Sequence, residues 1–196
     1  MSYVAEDFVK ILIKSKVIRF GKFILKSGMI SNVFFDFGQI CYGSDLKKVG
    51  EHYADFIVDN SLNNFDVLFG PAYKGINIAT ATSTALYDKY KLSIPYSYNR
   101  KISKTHAEGG KFIGYDLSKT KSVLIVDDVF TDGGTKYETI ELLSQFKNLS
   151  IKGVIIGIDR QEVDENGESF ISIFKKKTGI EVYALTTKEE VLSYDK

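Results

Sequence analysis

Two adjacent carboxylates, Asp127 and Asp128, follow the apolar run 123–126 and come just before the threonine- and glycine-rich stretch 131–135. Glycine lets a backbone turn tightly and approach a ligand closely. Threonine hydroxyls and free amides at the start of a helix form an anion site, which the helix dipole strengthens. Because carboxylates repel phosphate, we expect the acidic pair to accept hydrogen bonds from ribose hydroxyls, directly or through a metal such as Mg²⁺. The spacing therefore predicts a sugar-phosphate site.

Other interpretations of this stretch are weaker. The two acids could simply cap a plain turn between a strand and a helix. No Gly-Lys-Ser/Thr follows the glycines, which argues against a Walker A phosphate loop, and the dinucleotide pattern G-x-G-x-x-G does not fit either. A phospho-accepting receiver domain also uses an acidic pair, but near its N-terminus, and residue 127 lies too late in the chain.

The elements that must position these acids alternate between strands and helices. The continuous apolar run 123–126 is typical of a strand buried on both faces of a parallel sheet. Strand and helix alternation predicts a parallel α/β sheet, whose ligands bind at the carboxyl ends of the strands. Residues 17–41 instead show short β-like runs broken by glycine, which predicts a small antiparallel lobe. Further strands are predicted at 66–69, 93–98, 112–115, 152–159 and 180–185. Helices are predicted at 3–16, 44–60, 76–87, 170–177 and from 188 onward. Ser44 is the predicted N-cap of the second helix.

Two more loops could bind an anion. The loop 70–75 follows the strand at 66–69 and carries Lys74 between glycines, although such a loop alone could be an ordinary turn. The segment 99–112 has several cations and a Gly-Gly pair but little apolar pattern. A charge run of this kind is usually a solvated loop. Its place between two strands of the predicted ligand sheet favours a lid.

Composition limits the remaining possibilities. A chain of 196 residues with 44% hydrophobic content is long enough for one domain with a core. The net charge of +1 gives no global attraction to nucleic acid, so any anion site must be local. The single Cys41 cannot form an intramolecular disulfide, which fits a cytoplasmic location. No apolar run predicts a signal peptide or a membrane helix.

Six stretches together resemble the orotate phosphoribosyltransferase family, within the type I phosphoribosyltransferases. The stretches are FILKSG (23–28), VFFDFG (33–38), FGPAYKG (69–75), YNRKISKTHAEGGKFIG (98–114), VLIVDDVFTDGGT (123–135) and GIDRQE (157–162). The resemblance implies a single α/β domain over 1–196, with a parallel sheet flanked by helices. It also implies a small N-terminal hood from about 1–43 and a mobile catalytic loop at 99–112.

The resemblance further implies a reaction. Phosphoribosyl diphosphate (PRPP) and orotate would give orotidine 5′-monophosphate and pyrophosphate, with Mg²⁺ held mainly by PRPP and water rather than by protein ligands. Family members are homodimers in which the basic loop of one subunit completes the site of the other. Neither nucleic acid nor a membrane is expected as a partner.

The resemblance also assigns roles to residues. Asp127 and Asp128 would bind the ribose hydroxyls, and Asp128 is also counted among the catalytic groups. Three loops would contact PRPP. The loop 131–135 would hold the 5′-phosphate, and the basic loop 99–112 would close over the pyrophosphate. The loop 70–75, in which the family has a cis peptide, would also contact the pyrophosphate. The PRPP set is Lys26, Tyr73, Lys74, Arg100, Lys101, Lys104, His106, Asp127, Asp128, Val129, Phe130, Thr131, Asp132, Gly133, Gly134 and Thr135. The orotate set is Lys26, Phe34, Phe35, Thr131 and Arg160, and the other predicted catalytic residues are Lys26, Lys74, Arg100, Lys101, Lys104 and His106.

Two alternatives share the fold: a phosphoribosyltransferase for another base, and a non-catalytic regulator that binds PRPP. Asp132 is unusual inside an anion loop because its charge should repel phosphate. We expect its side chain to point outward or to cap the following helix.

Overall fold

The structure, a computed structural model, describes residues 3–24, 30–101 and 110–194. The helices in these stretches are α1 (Tyr3–Lys14), α2 (Gly43–Asp59), α3 (Lys74–Tyr90), α4 (Gly134–Leu143), α5 (Phe170–Thr178) and α6 (Lys188–Tyr194). The strands are β1 (Ile18–Ile24), β2 (Ile30–Phe35), β3 (Val67–Phe69), β4 (Tyr96–Asn99), β5 (Phe112–Gly114), β6 (Ser122–Phe130), β7 (Ser150–Asp159) and β8 (Val182–Thr187).

The main sheet has six strands in the order β5-β4-β3-β6-β7-β8. Its neighbouring strands are parallel, except that β5 runs antiparallel to β4. This confirms the predicted parallel α/β sheet. Because β3, β4, β6 and β7 are parallel, their carboxyl ends and the loops that follow them meet at one edge.

Strand β6 extends further than the apolar run 123–126 predicts. Its pairing with β7 continues as far as Phe130 opposite Asp159. Asp127 and Asp128 therefore lie within the strand rather than after it, and both are buried. The prediction stopped too early because charged residues do not suggest a buried strand.

Apolar side chains cover both faces of the main sheet. On one face, α1, α2 and α3 form one apolar cluster with strand residues that include Leu68, Leu124 and Val126. On the other face, α4 and α5 pack against alternate strand residues such as Ile125 and Ile156. The near-continuous burial of β6 follows from this two-sided cover.

The predicted N-terminal lobe is a two-stranded antiparallel sheet, β1 with β2, which we call the hood. The pairing of the hood continues just past its two strands, where the Asp36 amide donates to the Val17 carbonyl at 2.8 Å. Beside this point Phe37 lies against Gly157 of β7, where a Cβ atom would come within 2.6 Å of its ring. The close approach requires glycine at 157.

Most predicted helices are confirmed to within a few residues. One detail is wrong: α2 begins at Gly43 after Tyr42, and no side chain caps it, so Ser44 lies inside the first turn. Within the described residues, no helix is long and apolar enough to cross a membrane.

Candidate active site

Four loops converge where the parallel strands end. They follow β3, β4, β6 and β7, and they contain the loop 70–75, the start of the basic segment 99–112, the loop 131–135 and Arg160. The sheet topology thus brings together residues that are up to about ninety positions apart in sequence. Ligands of open α/β sheets bind at such an edge.

Asp127 forms a buried ion pair with Lys136 on the first turn of α4. The Lys136 Nζ lies 2.7 Å from Asp127 Oδ2, and both side chains are only 5% exposed. The same ammonium donates to the Val129 carbonyl at 2.6 Å. Lys136 therefore links the end of β6 to the helix that follows it.

A second contact holds the backbone of Asp127. The hydroxyl of Tyr53, a fully buried residue of α2, donates to the Asp127 carbonyl at 2.6 Å. Burial raises the pKa of the Tyr53 phenol, which moves its titration further from neutral pH. Burial also raises the pKa of the Asp127 carboxyl, and the Lys136 ammonium opposes that rise. An ammonium at this distance favours the carboxylate form.

Asp128 points to the opposite face of the sheet and meets Lys74. Its Oδ2 lies 3.2 Å from the Lys74 Nζ, which also lies 3.6 Å from Asp36 Oδ1 at the exit of the hood. The Lys74 side chain is 45% exposed and that of Asp128 is 12% exposed. This pair is therefore more open to a ligand than the Asp127 pair is.

The loop between β3 and α3 has an unusual backbone. The Ala72–Tyr73 peptide is cis, which agrees with the expectation for this loop. The Asn99 side chain accepts a hydrogen bond from the Ala72 amide at 2.9 Å and so ties this loop to the end of β4. Tyr73 is 70% exposed next to Lys74, so both side chains are available to a ligand.

The loop 131–135 leads into α4 through Gly133, which has a positive φ of 84°. Asp132 Oδ1 accepts a hydrogen bond from the Gly134 amide at 3.0 Å and one from the Thr131 hydroxyl at 3.2 Å. Its carboxylate caps the first turn of the helix, which confirms one of the two expectations for this side chain. The Gly134 hydrogen bond is the main reason that the pKa of Asp132 lies below its ordinary value.

The two strand residues before this loop differ from each other. The Phe130 side chain is buried and packs edge-on against Phe174, with ring centroids 5.5 Å apart. Only the backbone of Phe130 can therefore reach a ligand. The Val129 carbonyl already accepts from Lys136. Their assignment to PRPP stays a prediction.

The basic segment begins and ends at one place. The Arg100 amide donates to the Lys111 carbonyl at 2.7 Å, so the two ends of the segment are joined at the sheet. Lys101 lies 3.7 Å from Glu138 of α4. The Arg100 Nε is buried and has no hydrogen-bond partner within the described chain. Lys104 and His106 lie outside the described residues, as does Lys26.

A small cavity lies between the hood and the end of β7. Its volume is about 130 Å³, and Phe35 and Arg160 both line it. Arg160 pairs with Glu162, which also lines the cavity, at 2.6 Å. Phe34 is on the other face of β2, where its ring packs 5.4 Å from Phe23. The structure thus brings Phe35 and Arg160 together but not Phe34.

Sequence reasoning missed several residues of the site. Asp36 and Asn99 contact the loop 70–75, and Tyr53 and Lys136 hold Asp127. One signal could have revealed Lys136. It precedes Leu143 by seven positions, on the face of α4 that also buries Thr139. A lysine at an apolar-face position indicates a buried partner.

The described residues contain no group of three or more His, Cys, Asp or Glu side chains that could hold a metal ion. Mg²⁺ commonly binds through one or two carboxylates together with substrate phosphates. The adjacent acids at the sheet edge suit an ion of that kind, carried mainly by substrate and water.

The comparisons with known proteins agree with this geometry. Residues 39–185 match the phosphoribosyl transferase domain family. Orotate phosphoribosyltransferase of Colwellia psychrerythraea is 40% identical over 188 residues, which cover 96% of this chain and 83% of that protein. The enzyme of the same name from Buchnera aphidicola is 42% identical over 189 residues, covering 96% and 87% of the two chains.

The crystal structure of orotate phosphoribosyltransferase from Francisella tularensis superposes with a TM-score of 0.83. It is 38% identical in sequence, and the match covers 96% of this chain and 89% of that one. The family model covers most of the main sheet and the loops that follow it, and the Colwellia and Francisella matches each cover 96% of this chain. The chain therefore belongs to the phosphoribosyl transferase family and, within it, to the orotate phosphoribosyltransferases.

Proposed function

We propose that this protein transfers the phosphoribosyl group of PRPP to orotate, giving orotidine 5′-monophosphate and pyrophosphate, as a step of pyrimidine nucleotide synthesis. The observation that carries the proposal is the edge of the sheet. There the acidic pair, the loop 131–135, the lysine-bearing loop 70–75 and Arg160 all lie at or just beyond the carboxyl ends of parallel strands. A cytoplasmic location stays a prediction from the single cysteine.

The acidic pair and the phosphate loop account for the sugar-phosphate. Asp127 and Asp128 accept hydrogen bonds from the ribose hydroxyls, and 131–135 holds the 5′-phosphate with backbone amides and threonine hydroxyls. In the structure the Gly134 amide already donates a hydrogen bond to the Asp132 carboxylate. We expect phosphate to bind the remaining donors of the loop or to displace this carboxylate.

Lys74 acts on the leaving group. As the bond from C1 to pyrophosphate breaks, negative charge develops on pyrophosphate and positive charge on the ribose. Lys74 is exposed and within ion-pair distance of Asp128 and Asp36, so it can shift from these carboxylates to a more highly charged pyrophosphate. Arg100 and Lys101, with the predicted Lys104 and His106, add positive charge from the basic loop, and Lys26 remains a predicted PRPP and orotate contact.

We expect orotate to bind in the cavity between the hood and Arg160. Phe35 supplies an apolar wall, and the Arg160 guanidinium can fork onto the planar carboxylate of the base in place of Glu162. Orotate is already an anion, so its ring nitrogen needs no strong base. Bound Mg²⁺ would supply charge neutralisation at the pyrophosphate oxygens.

The test is orotate consumption, followed by ultraviolet absorbance, with purified protein, PRPP and Mg²⁺. Parallel reactions contain uracil, hypoxanthine or adenine. The matched control is the Asp128→Asn protein prepared in the same way. A contaminating enzyme would give both preparations the same activity, whereas activity of this protein should fall in the variant. Turnover of orotate alone supports the proposal. Binding of PRPP without turnover of any base would instead favour the non-catalytic regulator.

We further propose that the protein is a homodimer in which Lys101 acts in the site of the partner subunit. The support is that Lys101 leaves the sheet edge at the start of the basic segment and is exposed, with only a 3.7 Å contact to Glu138 in its own chain.

Mixing two inactive variants tests this arrangement. A dimer of one Lys101→Ala chain and one Asp128→Ala chain would contain one site with both changes and one intact site. Random mixing should then restore about a quarter of the wild-type activity. Differently tagged chains verify that mixed dimers form. Mixed dimers without activity would contradict a shared site.

A further inference from the structure

Lys136 is the one buried lysine in the described part of the chain, and the proposed reaction gives it no role. Burial of a lysine is rare unless its charge is paired. Here the Nζ atom has two partners, Asp127 Oδ2 at 2.7 Å and the Val129 carbonyl at 2.6 Å. The side chain thus spans the turn that carries the phosphate loop, from α4 back to β6.

This position differs from that of the cations that face the substrate. Lys74 is 45% exposed and Lys101 is 39% exposed, but Lys136 is 5% exposed. Because the Lys136 ammonium is buried and already donates to two acceptors, it is poorly placed to contact PRPP. Its contact to Asp127 uses Oδ2, which leaves Oδ1 to other donors. A fixed carboxylate with one oxygen held by lysine can present the other to a hydroxyl.

We propose that Lys136 is a positioning residue for PRPP, which holds the Asp127 carboxylate and the end of β6 in the geometry that receives the ribose. The inference rests on the proposed function, because it assumes that Asp127 binds the ribose hydroxyls. Lys136 then acts on sugar-phosphate binding through Asp127 and not by touching the substrate. Orotate, which binds on the side of the hood, should be affected much less.

A double-mutant cycle tests this inference. The proteins are the wild type, Lys136→Met, Asp127→Asn and the variant with both changes. Methionine keeps much of the length of the lysine side chain and removes its charge. Each protein is titrated with PRPP and Mg²⁺ by calorimetry, and KM for PRPP, KM for orotate and kcat are measured where there is turnover. The matched control is Lys176→Met, because Lys176 also pairs with a carboxylate, Glu168, but lies on α5 and is 70% exposed.

We expect Lys136→Met to weaken PRPP binding by about 10-fold or more, while KM for orotate changes less than about 3-fold. In the Asp127→Asn background the same change should weaken PRPP binding less than about 2-fold, because its partner is already altered. Lys176→Met should bind like the wild type. A purely structural role would lower the fraction of active protein without this selective loss of PRPP.

The double variant also guards against a folding failure. Removal of one charge from a buried pair is more disruptive than removal of both. If Lys136→Met does not fold but the double variant does, comparison of the double variant with Asp127→Asn still reports whether Lys136 acts without Asp127.

Equal losses in both backgrounds would overturn the inference, because Lys136 would then act independently of Asp127. An equal rise of KM for orotate and for PRPP would also overturn it. If the wild type binds PRPP but converts no orotate, the proposed function fails on its own. The double-mutant cycle can still be measured by PRPP binding, so the inference about Lys136 remains testable. A wild type that does not bind PRPP would overturn both.

Discussion

The two neighbouring acids of β6 each meet a lysine, but the two pairs differ in almost every other respect. Asp127 and Lys136 are 5% exposed and 2.7 Å apart, on the face of the sheet covered by α4. Asp128 and Lys74 are 12% and 45% exposed and 3.2 Å apart, at the start of α3 on the opposite face. The first pair is shielded from solvent, and its lysine is held by two acceptors. The second is open, and its lysine can exchange partners.

The difference shows how one dipeptide can serve two purposes. A buried pair is costly to break because the remaining charge stays buried with neither water nor a counter-ion to stabilise it. An exposed pair contributes little to stability, so its members are free to respond to a ligand. We therefore expect changes to the Lys136 pair to affect folding first and changes to the Lys74 pair to affect turnover first.

The largest expected effect is on stability. Lys136→Met should lower the free energy of unfolding by about 3–5 kcal/mol, because it leaves the Asp127 carboxylate buried without its cation. Urea denaturation followed by circular dichroism measures this. The control Lys176→Met removes an exposed pair and should cost less than about 1 kcal/mol. Equal losses in the two variants would mean that the Lys136 pair is not effectively buried.

The next effect is on catalysis. Lys74→Met should lower kcat/KM for PRPP by about 100-fold, because it removes positive charge from the leaving pyrophosphate. Its free energy of unfolding should change by less than about 1 kcal/mol. Steady-state kinetics and urea denaturation of the same preparation give both values. If Lys74→Met lost stability as Lys136→Met does, the contrast between the two pairs would disappear.

A smaller effect should come from Tyr53, which supports the buried pair through the backbone. Tyr53→Phe leaves the Asp127 carbonyl without its buried donor and should cost about 1–3 kcal/mol in the free energy of unfolding. Tyr90→Phe is the matched control. Tyr90 donates to Asp55 at 2.7 Å, but at a partly exposed site, so its loss should be smaller. Thermal unfolding of the two variants compares them, and a greater loss in Tyr90→Phe would contradict the prediction.

The smallest effect concerns pH and the open pair. The Gln39 side chain is the main group that lowers the pKa of Asp36 below its ordinary 3.8, with smaller help from the Gly38 amide and Lys74. A lowered pKa means that folding favours the carboxylate, so this stability is present above pH 4 and is lost as the pH falls through the folded value.

Asp36→Asn should remove that component, which is less than about 1 kcal/mol because the site is partly solvated. The melting temperature, measured from pH 6 to pH 3, should then fall less steeply for the variant than for the wild type. Identical slopes would show that Asp36 contributes nothing to acid sensitivity.

The sequence predicts the sheet well because its signals are local. The apolar run before Asp127, the glycine-rich loop after it and the alternation along the chain each depend on neighbouring residues. The hood is also predictable from its glycine-broken β runs. The end of β6 is not, since only its pairing with β7 shows that two acids lie inside the strand.

The predicted site divides in the same way. Motifs identify the loops, but they do not show what the side chains touch. The Lys136–Asp127 pair, the Tyr53 hydrogen bond and the position of Asp36 all join residues from different elements. The orientation of Phe34 away from the cavity depends on strand register, since a shift of one residue exchanges the two faces.

The hydrogen bond from the Arg100 amide to the Lys111 carbonyl has a consequence for how the molecule can vary. Because the chain leaves and re-enters the sheet at one point, residues between these two positions can be added or removed without shifting β4 or β5. Closing a loop of twice the length costs only about 0.6 kcal/mol more. Relatives can thus diverge in loop length there, and an inserted peptide tag would disturb catalysis before it disturbed folding.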